Sequence, residues 1–320
     1  MTVILNNKLI EATEGESLIE TAYRAGIEIP SLCYSKGAKH KSSCMICAVK
    51  DCKSGQIIPS CTTLPVEGMK IDTNCDEVIQ TRTLSLELLL SDHRADCEAP
   101  CSLVCPNGLD IERMLARYDS GDMASAFQLL AAAFPLPEIK CTTCKVPCEK
   151  VCRRGTVDKS VAIRTIIEEI YDKQHLTPVA SINDNGKTDE KPPFLSRLGR
   201  FTDAEKERLK MTVKTNSRCL HCACTGQKGC KLRLYAAKMG IKRSRYEVSS
   251  VVFVMEKQKI GNGLWFEPAK CIKCGLCVYN SDNGFTFSDR GFKMRVVLPE
   301  ENASNINIAL AELCPTGALY

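Results

Sequence analysis

The feature that most constrains this chain is its cysteine content: 21 cysteines in 320 residues, most of them set in short repeats. Cys33, Cys44, Cys47 and Cys61 are spaced C-x10-C-x2-C-x13-C. Cys97, Cys101 and Cys105 follow as C-x3-C-x3-C, and Cys141, Cys144, Cys148 and Cys152 form a second middle group. Cys219, Cys222, Cys224 and Cys230 read C-x2-C-x1-C-x5-C, and Cys271, Cys274 and Cys277 read C-x2-C-x2-C, with Cys314-Pro315 downstream. Two thiols within one turn can grip one metal centre, which a disulfide framework does not require. The first residues, Met1-Thr2-Val3-Ile4-Leu5-Asn6, carry no basic n-region, apolar h-region or cleavage site, so no secretory signal is expected. No apolar run approaches the roughly 20 residues that cross a bilayer, so membrane insertion is not expected. A reducing cytoplasm is the expected location, and dense cysteine there signifies metal. Cys52 and Cys75 belong to no set and are expected to be ordinary buried thiols.

The length suggests two or three domains. Residues 1–78 form an α/β unit in outline. Strands are expected at Thr2–Leu5 and Lys8–Ala12 about an Asn6-Asn7 turn. A helix over Leu18–Ala25 opens at Ser17 and closes at Gly26, and further strands follow at Met45–Val49, Gln56–Ile58 and Lys70–Ile71. Residues 79–175 are expected to be helical, with helices at Val78–Ser91, Ile111–Tyr118, Ala124–Phe134 and Val161–Tyr171. Residues 176–215, with Asn183-Asp184-Asn185-Gly186 and Lys191-Pro192-Pro193, suggest a linker. Residues 216–320 form the last cysteine-rich domain, with strands at Ser249–Glu256 and Phe292–Val297. Aromatic residues are only 6% of the chain, so side chains alone supply a modest core and bound metal is expected to support it.

The first cysteine set suits a [2Fe–2S] rhomb, in which each iron takes two thiolates. The stretches Ile29-Pro30-Ser31-Leu32-Cys33-Tyr34, Cys44-Met45-Ile46-Cys47, Pro59-Ser60-Cys61-Thr62 and Gly68-Met69-Lys70-Ile71 resemble one known domain. It is the N-terminal ferredoxin domain of the large clustered subunit of complex I, of iron-only hydrogenases and of NAD-reducing hydrogenase subunits. That resemblance implies a β-grasp fold. His93 and Cys97 keep the complex I His-x3-Cys spacing, but the C-x3-C-x3-C run departs from it.

Ala99-Pro100-Cys101-Ser102-Leu103-Val104-Cys105-Pro106 and Cys144-Lys145-Val146-Pro147-Cys148-Glu149-Lys150-Val151-Cys152-Arg153-Arg154-Gly155 resemble another family. This is the N-terminal domain of the glutamate synthase small subunit, with relatives in dihydropyrimidine dehydrogenase and bifurcating transhydrogenases. The resemblance implies a helical domain holding two [4Fe–4S] clusters. Carried over by position, Cys97, Cys101 and Cys152 would share one cluster, and Cys105, Cys144 and Cys148 the other. Arg94 stands where that family has its first cysteine. His93 and Cys141 are taken as the two remaining ligands, with Glu168 a further candidate; the alternative for His93 is a surface histidine.

Cys271, Cys274, Cys277 and Cys314 resemble bacterial ferredoxin, which implies a ferredoxin-like α+β domain and one [4Fe–4S] cluster. For Cys219, Cys222, Cys224 and Cys230 a cubane and a four-cysteine zinc site both stay open. His221, inside that set, is not expected to be a ligand. The expectation is an α+β multidomain chain with one [2Fe–2S] and about four [4Fe–4S] clusters.

The formal charge of +5 does not then imply nucleic acid. About five clusters contribute roughly −10, so the basic excess, including Lys238–Arg245, offsets cluster charge. No G-x-G-x-x-G follows a strand, Gly261-Asn262-Gly263 reads as a turn, and no P-loop occurs. The chain therefore carries redox centres without a visible hydride-handling site. The expected role is an electron-transfer subunit of a soluble oxidoreductase complex. It would stand between a flavin-containing NAD(P)H oxidoreductase subunit and a further redox subunit or ferredoxin. A self-contained enzyme with an open-site cluster and a structural zinc protein are the alternatives.

Overall fold

The structure is a computed structural model that describes residues 1–93, 96–134, 141, 143–174, 203–213, 215–224, 230–241, 258–282, 284–299 and 306–320. The chain divides into two compact units, Met1–His93 with Gln227–Tyr320, and Arg94–Gly226. This differs from the sequential division expected from composition. Contacts between residues more than 200 positions apart join the two ends of the chain, and no local pattern carries them.

The first unit begins with a hairpin, β1 (Thr2–Leu5) and β2 (Lys8–Glu11). Its turn residues Asn6 and Asn7 take φ of 49° and 64°, which asparagine tolerates. Helix α1 (Leu18–Arg24) follows, with the Ser17 N–H donating to the Glu20 carboxylate at 2.9 Å. Gly26, at φ 74°, ends it as expected. Strands β3 (Ala48–Asp51), β4 (Ile57–Pro59) and β5 (Met69–Asp72) complete a five-stranded sheet in the order β2-β1-β5-β3-β4. In it β5 runs parallel to β1 and antiparallel to β3. Leu18, Ile19 and Ala22 bury one face of α1 against Val3, Leu5, Val49 and Ile71. The expected strand at Met45 starts three residues late. Met45 has φ 54° and belongs to a turn instead. Helix α2 (Asp76–Asp92) runs across the expected domain border at 78. Its buried Arg82 donates to the Ala48 carbonyl at 3.1 and 2.7 Å, holding β3 where it leaves Cys47.

The second unit is helical. It contains α3 (Pro100–Leu103), α4 (Ile111–Asp119), α5 (Met123–Ala133), α6 (Pro147–Lys150), α7 (Ile163–Gln174) and α8 (Asp203–Thr212). Asp110 and Asp122 cap α4 and α5 through the N–H groups of Arg113 and Ser125. Helix α5 packs against α4 and α7. Ile111, Met114, Leu115, Phe127, Leu130, Ile163, Ile167 and Ile170 are buried there. Helix α8 lies inside the segment expected to be a linker. Its Ala, Glu, Lys and Arg content favours helix, and Leu209 is buried. The rest of that linker up to residue 202, and the expected strand Ser249–Glu256, lie outside the described residues.

The C-terminal part of the first unit contains α9 (Lys231–Lys238), β6 (Gln258–Lys259), β7 (Trp265–Phe266), α10 (Leu276–Tyr279), β8 (Thr286–Ser288), β9 (Arg295–Val297) and α11 (Leu310–Leu313). Residues Gly261–Gly263 turn between β6 and β7. A single 3-10 turn replaces the start of the strand expected from Phe292. Phe266, Phe285, Val296, Leu310 and Leu319 form a small core, with Cys271, Cys277 and Cys314 packed against it.

Candidate metal centres

Cys33, Cys44, Cys47 and Cys61 all lie on the loops above the sheet and are at most 4% exposed. The left-handed Met45 reverses the chain between Cys44 and Cys47. Ser60 Oγ donates to the Cys47 carbonyl at 2.7 Å, and His40 Nε2 lies 3.1 Å from the Cys61 carbonyl oxygen. The thiols touch: Cys33 is hydrogen-bonded to Cys44 and Cys61, and Cys47 to Cys61. Contact with Cys44 and then Cys61 draws the Cys33 thiol down to about 2. Contact with Cys61 draws Cys47 down to about 7, while Cys44 and Cys61 are pushed up by the same contacts. Four buried thiols brought together on these loops form a donor set suited to a compact dinuclear centre.

In the helical unit, Cys105, Cys141, Cys144 and Cys148 line one cavity of about 230 Å³. Its other walls include Pro106, Ile111, Phe134, Val146, Pro147, Ile163 and Ile167. Burial in these surroundings pushes Cys141 up to about 12 and Cys148 up to about 11. A thiolate there needs a cationic partner. Arg164 also lines the cavity. Its guanidinium donates through Nη2 to the Cys144 carbonyl, and its backbone N–H donates to Glu149 at 2.9 Å. The buried Arg164 Nε–H has no acceptor among the described residues. A buried donor without an acceptor is costly, so this site suits an anionic, sulfur-rich occupant.

Cys271, Cys274, Cys277 and Cys314 line a narrow cavity of about 20 Å³ in the first unit. Lys273 (φ 56°) and Gly275 (φ 82°) turn the segment so that its thiols face inward. The Lys273 N–H donates to Cys271 Sγ at 3.4 Å, and the Ala318 N–H to Cys314 Sγ at 3.2 Å. Burial pushes Cys277 up to about 12 and raises Cys271 and Cys274 further. Ser281 occupies a structural position, its Oγ accepting from the Phe285 N–H at 2.9 Å. This centre adjoins the first one. Asn280 exchanges hydrogen bonds with Lys39 at 2.9 and 2.7 Å, Ser43 Oγ donates to the Cys274 carbonyl at 3.4 Å, and Cys274 feels the charge of Cys33.

The remaining expected ligands are placed as follows. His93 is 5% exposed at the end of α2, its N–H donating to the Leu89 carbonyl at 3.1 Å, so the surface-histidine alternative does not describe it. Cys101 and Cys152 do not face only their own segment: Cys219 and Cys222 line the same cavity. Cys97 adjoins the bridge between Asp96 and Ala223, where the Cys224 N–H donates to the Asp96 carbonyl at 2.8 Å. Cys230 is the N-cap of α9 and accepts from the Arg233 N–H at 3.5 Å. Glu168 is half-buried on α7. Cys52 is exposed and Cys75 half-buried, so neither is the buried thiol expected. His221 is held between Glu112 at 3.0 Å and Asp119 at 3.1 Å. Burial alone would lower it, but these carboxylates and Cys219 push it up to about 12.

Sequence reasoning assigned no role to the cations near these thiols: Arg153, Arg154 and Arg164, which line the cavities, and Arg82, which holds the strand after Cys47. Nothing in a lone arginine's sequence neighbourhood marks it as facing a cavity. Among the described residues, no three His, Cys, Asp or Glu side chains converge as a single ion requires. Three groups of four cysteines instead stand around cavities.

The family described as "2Fe-2S iron-sulfur cluster binding domain" matches residues 1–76. The family described as "Dihydroprymidine dehydrogenase domain II, 4Fe-4S cluster" matches residues 73–177. Among curated proteins, the chain is 27% identical over 262 residues to the G 2 subunit of NADH-quinone oxidoreductase from Rhizobium meliloti (strain 1021), covering 76% of this chain and 28% of that protein. It is 31% identical over 166 residues to the HndD subunit of the NADP-reducing hydrogenase from Solidesulfovibrio fructosivorans, covering 48% of this chain and 27% of that protein. It is 23% identical over 184 residues to the gamma subunit of the NAD-reducing hydrogenase HoxS from Cupriavidus necator, covering 58% and 71%. The chain thus spans about a quarter of the length of the first two relatives. A crystal structure of NAD+-reducing [NiFe]-hydrogenase in the H2-reduced state shares the fold. Its TM-score is 0.50 at 16% identity, covering 99% of this chain and 86% of that one.

Proposed function

From a chain that carries a 2Fe-2S domain and a 4Fe-4S domain over its first 177 residues, we propose that the protein is an electron-transfer subunit of an NAD(P)-linked oxidoreductase complex. The β-grasp segment would hold a [2Fe–2S] cluster on Cys33, Cys44, Cys47 and Cys61. Cubanes would sit on Cys105, Cys141, Cys144 and Cys148, and, in a ferredoxin-like segment, on Cys271, Cys274, Cys277 and Cys314. The other eight expected ligands, His93 and seven cysteines, would serve two more cubanes. Such clusters supply one-electron carriers. The chain's own part is to seclude the thiolates, offset their charge with arginine and lysine, and hold neighbouring ligand loops together.

The observation that carries this reading is the abutment of the first and last ligand loops through Lys39, Ser43, Cys274 and Asn280. Ligand loops packed side by side suit a relay. The sequence has no nucleotide-binding signature, so hydride chemistry is assigned to a flavin-containing partner, and a further redox subunit or ferredoxin would exchange electrons with the chain. No helix among the described residues is long and apolar enough to cross a membrane, and the cytoplasm is the proposed location.

Anaerobically purified protein should contain iron at about 18 per chain, counted as one [2Fe–2S] and four [4Fe–4S] clusters. It should be reducible by dithionite but not by NADH or NADPH alone. Iron below about 10 on the same count would sink the five-cluster reading. Stoichiometric zinc would restore the zinc site at Cys219–Cys230, and NAD(P)H oxidation by the isolated chain would favour a self-contained enzyme.

A further inference from the structure

The cysteine run at 219–224 is fastened within the helical unit by four residues around its thiols. Ser217 donates through N–H and Oγ to the Asp119 carboxylate. Arg218 pairs with Asp158, and His221 bridges Glu112 and Asp119. The Cys224 N–H reaches the Asp96 carbonyl. Asp96 is fully buried and also pairs with Arg153 at 3.2 Å. Positions 217, 218, 221 and 224 are thus spent on anchoring, and Cys219 and Cys222 point the other way, into the unit.

What they meet there is Cys101 and Cys152. One narrow cavity, about 10 Å³, is lined by these four cysteines together with Leu115, Arg153, Arg154 and Glu112, whose carboxylate is engaged by His221. Cys101, Cys219 and Cys222 are at most 8% exposed. Cys101 feels the charges of Cys219 and Cys152, and Cys222 feels those of Cys101 and Cys219. A cavity of about 10 Å³ holds a cluster only when the four cysteine side chains swing apart around it. The Cys219–Cys222 turn has the local form of a ligand turn. Its third residue, His221, has φ 46° and donates its N–H to Cys219 Sγ at 3.3 Å. In the Cys271–Cys274 turn, Lys273 has φ 56° and donates to Cys271 Sγ at 3.4 Å. Arg154 supplies a second indication of an occupant. It is 2% exposed and paired with Asp158, yet its Nη1 has no acceptor among the described residues, and it lines this cavity.

We infer that Cys101, Cys152, Cys219 and Cys222 ligate a single [4Fe–4S] cluster, so that two of the cysteine sets read from sequence exchange members. This rests on the iron–sulfur reading above and deepens it. Cys219 and Cys222 fill the ligand places otherwise assigned to His93 and Cys97. Cys97 and Cys224, joined by the Asp96–Ala223 bridge, become a pair serving the other cubane.

The test is iron content and low-temperature EPR of holoprotein carrying Cys152→Ala, Cys222→Ala, or both. Each single variant should lose or alter the same EPR signal. The double variant should stay near the single-variant value, about 14 iron per chain rather than about 18. Cys105→Ala combined with Cys222→Ala is the additivity control and should fall to about 10. A fall to about 10 for the Cys152 and Cys222 pair, with two distinct signals lost, overturns the grouping while leaving the five-cluster reading intact. Wild-type protein without iron overturns that reading itself. Where a variant does not accumulate, wild-type holoprotein answers the question. Limited ferricyanide oxidation with iodoacetamide trapping should expose Cys101, Cys152, Cys219 and Cys222 to alkylation together. Exposure of Cys152 with Cys97, and of Cys222 with Cys224, overturns the grouping.

Discussion

Replacing Arg164 tests whether the arginines beside the thiols set the properties of the centre they line. Its Nε–H is buried and finds no acceptor among the described residues, and Arg164 lines the cavity of Cys105, Cys141, Cys144 and Cys148. A hydrogen bond to a charged acceptor contributes about 1.5–3 kcal/mol. Reducing the cluster takes its charge from about −2 to about −3, so the donor should favour the reduced form by about half of that, near 1 kcal/mol. For a one-electron couple this is about 40 mV. Arg164→Lys keeps the positive charge and loses the Nε–H, so the potential of one cubane should drop by about 40 mV. Arg164→Met also loses the charge. Across a cavity of about 230 Å³, a separation on the order of 7 Å at an effective dielectric of about 20 gives about 2.4 kcal/mol for the added electron, near 100 mV. EPR-monitored redox titration of anaerobic holoprotein reads both shifts, with iron content as the control for retained cluster. If the Lys variant keeps its iron and every midpoint stays within about 10 mV of wild type, the Nε–H does not donate to the centre as argued.

Two further outcomes follow from the same structure. Gly275→Ala should remove the C-terminal cubane alone, lowering iron from about 18 to about 14. A Cβ there would lie 2.5 Å from Tyr279 Cε2 at a φ of 82°, and an unchanged EPR spectrum would contradict the turn described. His221 gives a pH dependence. Its folded pKa is raised to about 12 from 6.5 against the opposing effect of burial. Its stabilising contribution is therefore complete below about pH 6.5 and shrinks as pH rises toward the folded value. The thermal midpoint gap between wild type and His221→Gln should be widest near pH 6.5 and narrow toward pH 9. The underlying slope is at most about 1.4 kcal/mol per pH unit. A gap that widens with pH would show that the imidazole is not held protonated by Glu112 and Asp119.

Local patterns made much of this chain legible. Asn6-Asn7, the Ser17 cap and Gly26 each act within a few residues, and the hairpin and α1 form within a residue or so of where these signals place them. The periodicity of α4, α5 and α7 was equally readable, because one apolar face of each is buried; α2 forms as expected although Ile79, Leu84 and Leu88 are exposed. Cys105, Cys144 and Cys148, grouped by the family resemblance, and Cys141, added as an extra thiol, line one cavity. The strand misplaced at Met45 shows where such reasoning stops. Cys44-Met45-Ile46-Cys47 and Ala48-Val49 look alike as an apolar run, yet the thiols demand a left-handed residue and the strand can begin only after them.

The limit reached at Cys219–Cys230 has a different physical origin. Spacing reports which thiols can reach one another within a turn, a range of a few residues. Which turn faces which is decided by anchors such as Asp96–Arg153 and Asp119–His221, separated in sequence by 57 and 102 positions. Each anchor is an ordinary charged residue in its own neighbourhood, so the set C-x2-C-x1-C-x5-C reads as self-contained until those partners are known. The seating of the first ligand loop against the last has the same character, since Lys39 and Asn280 are 241 positions apart. A ligand motif therefore predicts that a cysteine binds metal more securely than it predicts its fellow ligands. That second property belongs to the ion pairs and hydrogen bonds that seat the turn.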